Sequence, residues 1–258
     1  MQNIIGIDIG GTKIAGVVFN GKRVLQELTI ATPNTFNGFK RNLYKLVDFL
    51  SVNRKISGIG VGCAGLVNSA TGMVRLTSSV KFKAQFNMVA FFKAKFHLPV
   101  KVDNDASCFT RAELILGQGE KFQNFLGVIL GSGLGGGIVI NRQLYRGKNN
   151  SGGEIGHIVV NKLFLQKFYQ IARDRNNYSR LSEVLGQAFA SFANIFAPDA
   201  LILGGGVSLN AHAKFLPQTQ NVMRKFLFDK FSAPKILVSK LKNAGALGAA
   251  LLFKESKS

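Results

Sequence analysis

Acidic residues are scarce in this sequence: 13 Asp and Glu stand against 33 Lys and Arg, a formal net charge of +20. Such an excess raises the question of a nucleic-acid partner. The basic residues are nevertheless spread along the whole chain, and their tightest groupings are short (Lys93/Lys95 and Lys235/Lys240/Lys242). There is neither a zinc-finger spacing nor an RNP pattern, so specific nucleic-acid binding is not expected. The charge reads instead as a solvated basic surface that draws in small anions and binds nucleic acid only weakly. Cysteine is nearly absent as well. Cys63 and Cys108 have no paired spacing, which argues against a disulfide framework or a cysteine zinc site and leaves two buried thiols. Long apolar runs are missing too: hydrophobic residues make up 47% of the chain, yet no run approaches the roughly 18 residues of a membrane span. Met1 lies almost against the first strand, so no leader is expected, and the reading is a globular cytoplasmic protein.

What the chain does have is glycine in a telling place. Residues 6–13 read Gly-Ile-Asp-Ile-Gly-Gly-Thr-Lys between two apolar, β-branched runs, which suits a strand, a sharp turn and a second strand. Gly10 and Gly11 leave the turn bare, so backbone N–H groups can close on an anion, while Thr12 adds a hydroxyl and Lys13 a positive charge. Asp8 is a carboxylate at the end of an apolar strand, costly there unless a cation or donors meet it, and magnesium carried by a nucleotide is the candidate. An ordinary hairpin followed by Thr and Lys is the alternative. A second copy weighs against it. Offset by 121 positions, residues 6–20 match residues 127–141, with identities at Gly6/Gly127, Gly10/Gly131, Gly16/Gly137, Val18/Val139 and Asn20/Asn141. A chain of 258 residues is long enough for two domains of about 130. If the two halves face each other, the glycine turns converge on one cleft and grip a polyphosphate from both sides.

Strands and helices alternate along the rest of the chain, an α/β pattern. Residues 23–30 continue the first sheet, and Phe36, Phe39, Leu43, Leu46, Val47 and Leu50 fall on one helical face capped by Asn34 or Thr35. A strand over 56–61 ends in a glycine-bearing loop around Gly65, at the strand end where open α/β sheets bind ligands. After a helix near 87–96 and a strand over 100–102 comes Asp103-Asn104-Asp105, followed by helix-forming residues to 116. Asp103 suits a helix cap. Asp105, held ionised at a helix start, can accept a proton from a substrate hydroxyl, and Asn104 can hold a neighbouring hydroxyl, although capping alone also explains both.

The strand over 124–130 runs into the second turn, Gly131-Ser132-Gly133, and on through Gly135 and Gly136. Its G-x-G-x-x-G spacing suggests a dinucleotide site, but residues 138–140 continue as strand and no acid follows about twenty positions on, so both supports of that reading are missing. No Walker A pattern occurs. Gly152-Gly153-Glu154-Ile155-Gly156-His157 places an acceptor and a donor in a glycine loop able to approach sugar-like hydroxyls, or else a solvated Glu and a packed His. The segment 162–180 is basic and helical without a motif. A periodic core helix spans Leu181 to Phe196, and a strand over 200–203 opens into Gly204-Gly205-Gly206, bare enough for an adenine or ribose. A last strand covers 235–239, and a small-residue helix begins at Ala244.

With these segments in place the chain resembles the ROK family (repressor, open reading frame, kinase) of sugar kinases over nearly its whole length. IDIGGTK and LGSGLGGGIV look like its two phosphate loops, GCAGLVN its sugar-domain loop, DNDAS its catalytic junction, GGEIGH its sugar-binding loop and LGGGVS its adenosine loop. The resemblance implies two actin-like, ribonuclease H-like domains of the hexokinase-type ATPase fold flanking a cleft. They would cover residues 1–104 and 105–243, with the final helix (244–258) packing back on the first. It implies ATP-dependent phosphorylation of a hexose, glucose or an N-acetylhexosamine, at its 6-hydroxyl. Asp105 would be the general base, Gly65, Asn104, Glu154 and His157 would contact sugar, and Asp8 would organise Mg2+ through water. The phosphate and nucleotide contacts would come from Gly10, Gly11, Thr12, Lys13, Gly131, Ser132, Gly133, Gly135 and Gly204–Gly206. A homodimer is the assembly the family suggests.

There are departures. The family's His in GGEIGH is normally a ligand of a zinc site completed by three cysteines, with a sugar-binding Glu close behind. Here no cysteine follows Cys108 and that Glu has no evident counterpart, so zinc is not expected and His157 loses a device that would fix it. Ala64 stands where the family has Pro, and Ser79 where it has Asn. The missing zinc segment opens an alternative: a catalytically weak sugar or nucleotide sensor, or a partner of an anionic macromolecule.

Overall fold

Isoleucines at positions 4, 5, 7 and 9 build β1 (Asn3–Ile9), which turns back into β2 (Lys13–Phe19) and then β3 (Val24–Ala31) as an antiparallel meander. The computed structural model describes residues 2–76, 84–160 and 162–254. Helix α1 (Phe36–Ser51) starts at Thr35, whose hydroxyl accepts a hydrogen bond from the Gly38 N–H at 3.2 Å. Its buried face is Phe39, Leu43, Leu46, Val47 and Leu50, the three-and-four spacing read from the sequence. Strand β4 (Ile56–Cys63) follows. Then come three short strands with no clear sequence signal, β5 (Leu66–Asn68), β6 (Met73–Leu76) and β7 (Ala84–Asn87), which form their own antiparallel sheet. Ser79 lies outside the described residues. Helix α2 (Met88–Phe96), capped by Asn87, leads to β8 (Val100–Asn104) and helix α3 (Asp105–Leu116). The first sheet has the order β3-β2-β1-β4-β8, with β4 and β8 parallel to β1.

The second sheet repeats this plan. Its meander is β9 (Phe125–Leu130), β10 (Leu134–Ile140) and β11 (Gln143–Leu144). A small hairpin of β12 (Val159–Val160) and β13 (Leu163–Phe164) precedes helices α4 (Leu165–Asp174) and α5 (Tyr178–Phe196). Strand β14 (Ala200–Gly204), the long helix α6 (Gly205–Phe226) and β15 (Lys235–Val238) complete the order β11-β10-β9-β14-β15, with β14 parallel to β9 and to β15. Leu181, Leu185, Ala188, Phe189 and Phe192 of α5 lie in one core with Tyr169 and Phe215.

The duplication holds for topology, but the fifteen-residue match does not hold for register. Ile9 pairs with Ile14 across a four-residue turn, whereas Leu130 pairs with Leu134 across a three-residue one. No single offset therefore aligns both strands of the two hairpins. Gly16 faces Ile7 while Gly137 faces Gly127, and because side chains alternate along a strand the identical glycines occupy different ladder positions.

Helix α7 (Ala244–Ala250) lies directly on β1 and β4. A Cβ on Gly6 would stand 1.9 Å from the Ala246 carbonyl oxygen, and one on Gly60 1.9 Å from that of Ala249, so only glycine admits the helix at this distance. Residues 255–258 lie outside the described part. The chain divides into two units, Met1–Ala112 with Arg146–Ser151 and Leu241–Ser258, and Glu113–Tyr145 with Gly152–Lys240. Cys63 and Cys108 are both fully buried in the first unit, and burial pushes each thiol above its ordinary range. No described helix is long and apolar enough to cross a membrane.

Candidate functional site

In the first unit the parallel pairing of β1, β4 and β8 sets Asp8, Gly62 and Asp103 on one rung and Ile9, Cys63 and Asn104 on the next, at the carboxyl ends of the strands. Asp105 then opens α3, its Oδ1 accepting from the Ala106 N–H at 2.9 Å. The Asp8 carboxyl is raised to about 7, first by burial and then by repulsion from Asp105, with Lys13 pulling the other way. Gly245 at the start of α7 closes over it, since a Cβ there would lie 2.4 Å from Asp8 Oδ2. A crowded carboxylate facing a second one fits a hard divalent cation, so Asp8 suits Mg2+.

Asn104 is fixed on both sides. Its Oδ1 caps α3 by accepting from the N–H groups of Ala106 at 2.9 Å and Ser107 at 3.2 Å, and its Nδ2 donates to the Gly65 carbonyl at 3.4 Å. The cap is thus Asn104, and the reading of Asp103 as a cap is corrected. Asp103 is 1% exposed, and the single nitrogen Arg146 Nη1 donates to its Oδ1 at 2.7 Å and its Oδ2 at 2.6 Å, with Arg111 3.8 Å away. Its Oδ1 also accepts from the Asn104 N–H at 2.9 Å, so this ion pair orients the turn that carries Asn104 and Asp105. Nothing in the sequence pairs residues 103 and 146, because the contact depends on a connection that returns to the first unit.

The turn holding Gly10, Gly11, Thr12 and Lys13 is closed by the Gly10 N–H donating to the Lys13 carbonyl at 3.0 Å. Thr32, unmarked in the sequence, ties its carbonyls back: its N–H donates to Thr12 O at 3.0 Å and its hydroxyl to Gly10 O at 2.8 Å. Thr12 and Lys13 are exposed.

In the second unit the turn of Gly131, Ser132 and Gly133 is closed in the same way, by the Gly131 N–H donating to Gly133 O at 3.0 Å, and Gly135 sits within β10 opposite Ile129. The continuing strand removes the helix that a dinucleotide site requires. Glu154 and His157 are brought together, with His157 Nδ1 and Glu154 Oε2 3.1 Å apart and both side chains about half exposed. The His157 ring meets the edge of Phe164, their centroids 5.4 Å apart. Gly204 ends β14, while Gly205 and Gly206 begin α6 rather than an open turn. Gly205 has φ +84° and passes so near β9 that a Cβ would lie 2.4 Å from the Leu130 carbonyl oxygen. Among the described residues no group of three or more His, Cys, Asp or Glu is arranged to hold a metal ion.

Residues 4–165 and 161–256 match the model of the ROK family. The chain belongs to the ROK family. Among its relatives, the glucokinase of Streptomyces coelicolor is 28% identical over 309 residues, covering 97% of each protein. The crystal structure of a ROK family glucokinase from Streptomyces griseus, in complex with glucose and AMPPNP, is similar with a TM-score of 0.86 and 26% identity over 97% of this chain and 99% of that one. A ROK family transcriptional regulator, a homologue of the E. coli Mlc protein, shares the fold with a TM-score of 0.82 at 19% identity, over 97% of this chain and 77% of that one. The α/β fold is therefore that of the hexokinase-type ROK proteins, and since a regulator shares it, the site has to decide the activity.

Proposed function

We propose that this protein is a cytoplasmic ATP-dependent sugar kinase that phosphorylates the 6-hydroxyl of a hexose, glucose or an N-acetylhexosamine. The observation that carries the reading is the carboxylate of Asp105 at the head of α3, close enough to Asp8 to repel it electrostatically, on the rim formed by three parallel strand ends. Asp105 takes the proton of the sugar hydroxyl as that oxygen bonds to the γ-phosphorus and the bond to the β-phosphate oxygen breaks, releasing ADP. Asn104 and Gly65, joined by their hydrogen bond, hold the sugar near that base, and Glu154 and His157 offer an acceptor and a donor for further hydroxyls. Gly10, Gly11, Thr12 and Lys13 of the first unit and Gly131, Ser132, Gly133 and Gly135 of the second are assigned to the phosphates, with Gly204, Gly205 and Gly206 to the adenosine. Asp8 would hold Mg2+ through water, and that ion would supply positive charge against the phosphate oxygens. The two units are taken as the two domains of the kinase, α7 included in the first.

A coupled ADP-release assay over glucose, N-acetylglucosamine, N-acetylmannosamine and fructose tests the reading, with Asp105→Asn as control. Turnover on at least one sugar, lost by a factor of about 10² to 10⁴ in the Asn variant, supports it. The exposure of Glu154 and His157, in a sequence without the cysteines that would fix this loop, favours one second reading, a sensor that binds sugar or nucleotide without turnover. Nucleotide binding without turnover on any sugar establishes that instead.

A further inference from the structure

Helix α4 turns one whole face toward the second glycine turn. Gln166, Tyr169, Gln170 and Arg173 stand at helical spacings of three, one and three, and each bonds the backbone of residues 131–134. The Tyr169 hydroxyl donates to the Gly131 carbonyl at 2.8 Å, and Arg173 Nη1 donates to the same oxygen at 2.9 Å and also to Ser132 O. Gln170 Nε2 donates to Ser132 O at 3.3 Å, and Gln166 Oε1 accepts from the Leu134 N–H at 3.4 Å. Since Gly133 O takes the Gly131 N–H, all three carbonyls of the turn are held. No hydrogen bond among the described residues uses the N–H of Ser132 or Gly133. Tyr169 is fully buried, and burial pushes its phenol up, so it remains a neutral donor. The Arg173 guanidinium lies over the Tyr169 ring, 5.7 Å from its centroid, with its Nε on Asp174 at 2.7 Å. In the first turn a different residue does part of this work, since Thr32 holds Gly10 O and Thr12 O.

We infer that Tyr169 and Arg173 are positioning residues for the phosphoryl donor, holding the carbonyls of Gly131 and Ser132 against α4 so that the Ser132 and Gly133 amides present themselves to an anionic phosphate. A peptide carbonyl aimed at phosphate oxygens repels them, whereas successive free N–H groups form an anion-binding nest. The glycine turn has no side chain to choose between these two orientations, and α4 makes the choice for it. The inference rests on the kinase reading and deepens it.

Direct binding separates the two. Calorimetric titration with Mg2+ and AMPPNP, and separately with the sugar found in the turnover assay, is run on the full chain and on Tyr169→Phe, Arg173→Met and Arg173→Lys. Tyr169→Phe and Arg173→Met each weaken AMPPNP about tenfold, the scale of one lost hydrogen bond to the turn, and leave the sugar within about twofold. Arg173→Lys, which keeps a donor but not the fork, falls between the wild type and Arg173→Met. Tyr169→Phe removes a single oxygen from a ring that keeps its packing, so its result does not depend on a refolded core. Wild-type AMPPNP affinity in both Tyr169→Phe and Arg173→Met overturns the inference while leaving the kinase reading in place, as does equal loss of sugar and nucleotide. Failure of the wild type itself to bind AMPPNP overturns the reading beneath it.

Discussion

Replacing Asp8 by Asn tests the role proposed for this carboxylate, because the crowding that would suit it to a cation makes it unfavourable without one. In the free protein its carboxyl is raised from 3.8 to about 7, chiefly by burial and then by Asp105. The folded chain therefore holds this proton more tightly than the unfolded chain does. Between about pH 4 and pH 7 the folded state carries one more proton at this position, so stability falls as pH rises through that window and levels off above it. At 1.36 kcal/mol per unit, the shift amounts to about 4 kcal/mol lost by pH 8 and about 1.5 kcal/mol by pH 5. Asp8 keeps some contact with solvent, which brings the expected figure at pH 8 to about half, or roughly 2 kcal/mol. Asn keeps the shape without the charge. Measured without nucleotide or Mg2+, Asp8→Asn should melt above the wild type at pH 8, by roughly 2–4 °C per kcal/mol, and the gap should narrow toward pH 5. In the same variant sugar phosphorylation should be lost. A gap that is constant across this range, or a variant that melts below the wild type at pH 8, refutes the account of Asp8 as an uncompensated carboxylate.

Three further outcomes follow from other parts of the molecule. Arg146→Met leaves the buried Asp103 with the Asn104 N–H and, as a cation, the more distant Arg111, and should cost roughly 2–3 kcal/mol by denaturant titration; adding Asp103→Asn should recover part of that loss. Gly60→Ala drives a Cβ to 1.9 Å from the Ala249 carbonyl oxygen and must displace α7, so a loss of about 3 kcal/mol or more is expected in the melting curve. His157→Ala should raise KM for the sugar about ten- to a hundredfold while leaving KM for ATP near its original value, and an equal rise in both would remove His157 from the sugar contacts.

What the sequence reveals and what it conceals divides along the range of the interaction. Helices α1 and α5 were legible because their buried residues recur every three or four positions, so the pattern sits within one element. Helix α6 was not legible: it begins on two glycines, carries Pro217 inside, and buries Ser208, Phe215, Thr219 and Met223, two of them polar, so its apolar stripe is too sparse to read. The strands β5, β6 and β7 are three or four residues long, too short for alternation to show. The repeat of the glycine hairpin was visible, but the missing residue in the second turn was not, because register is a property of two strands together.

The same division runs through the site. Asp8, Asn104 and Asp105 announce themselves as polar residues at the ends of apolar runs, whereas their meeting depends on β4 and β8 lying in order beside β1, which no local pattern states. The residues that set the backbone left no signal at all. Thr32 reaches a carbonyl 22 positions away, Arg146 a carboxylate 43 away, and Tyr169 and Arg173 carbonyls 38 and 42 away. Each serves a main-chain group or a buried partner that any of several side chains could have served, so the sequence around it carries no fixed spacing. Glycine turns are readable because the absence of side chains is itself a local signal in the sequence. Whatever then orients a bare turn must come from elsewhere in the chain, and only the folded structure shows that Thr32 does this in the first unit and α4 in the second.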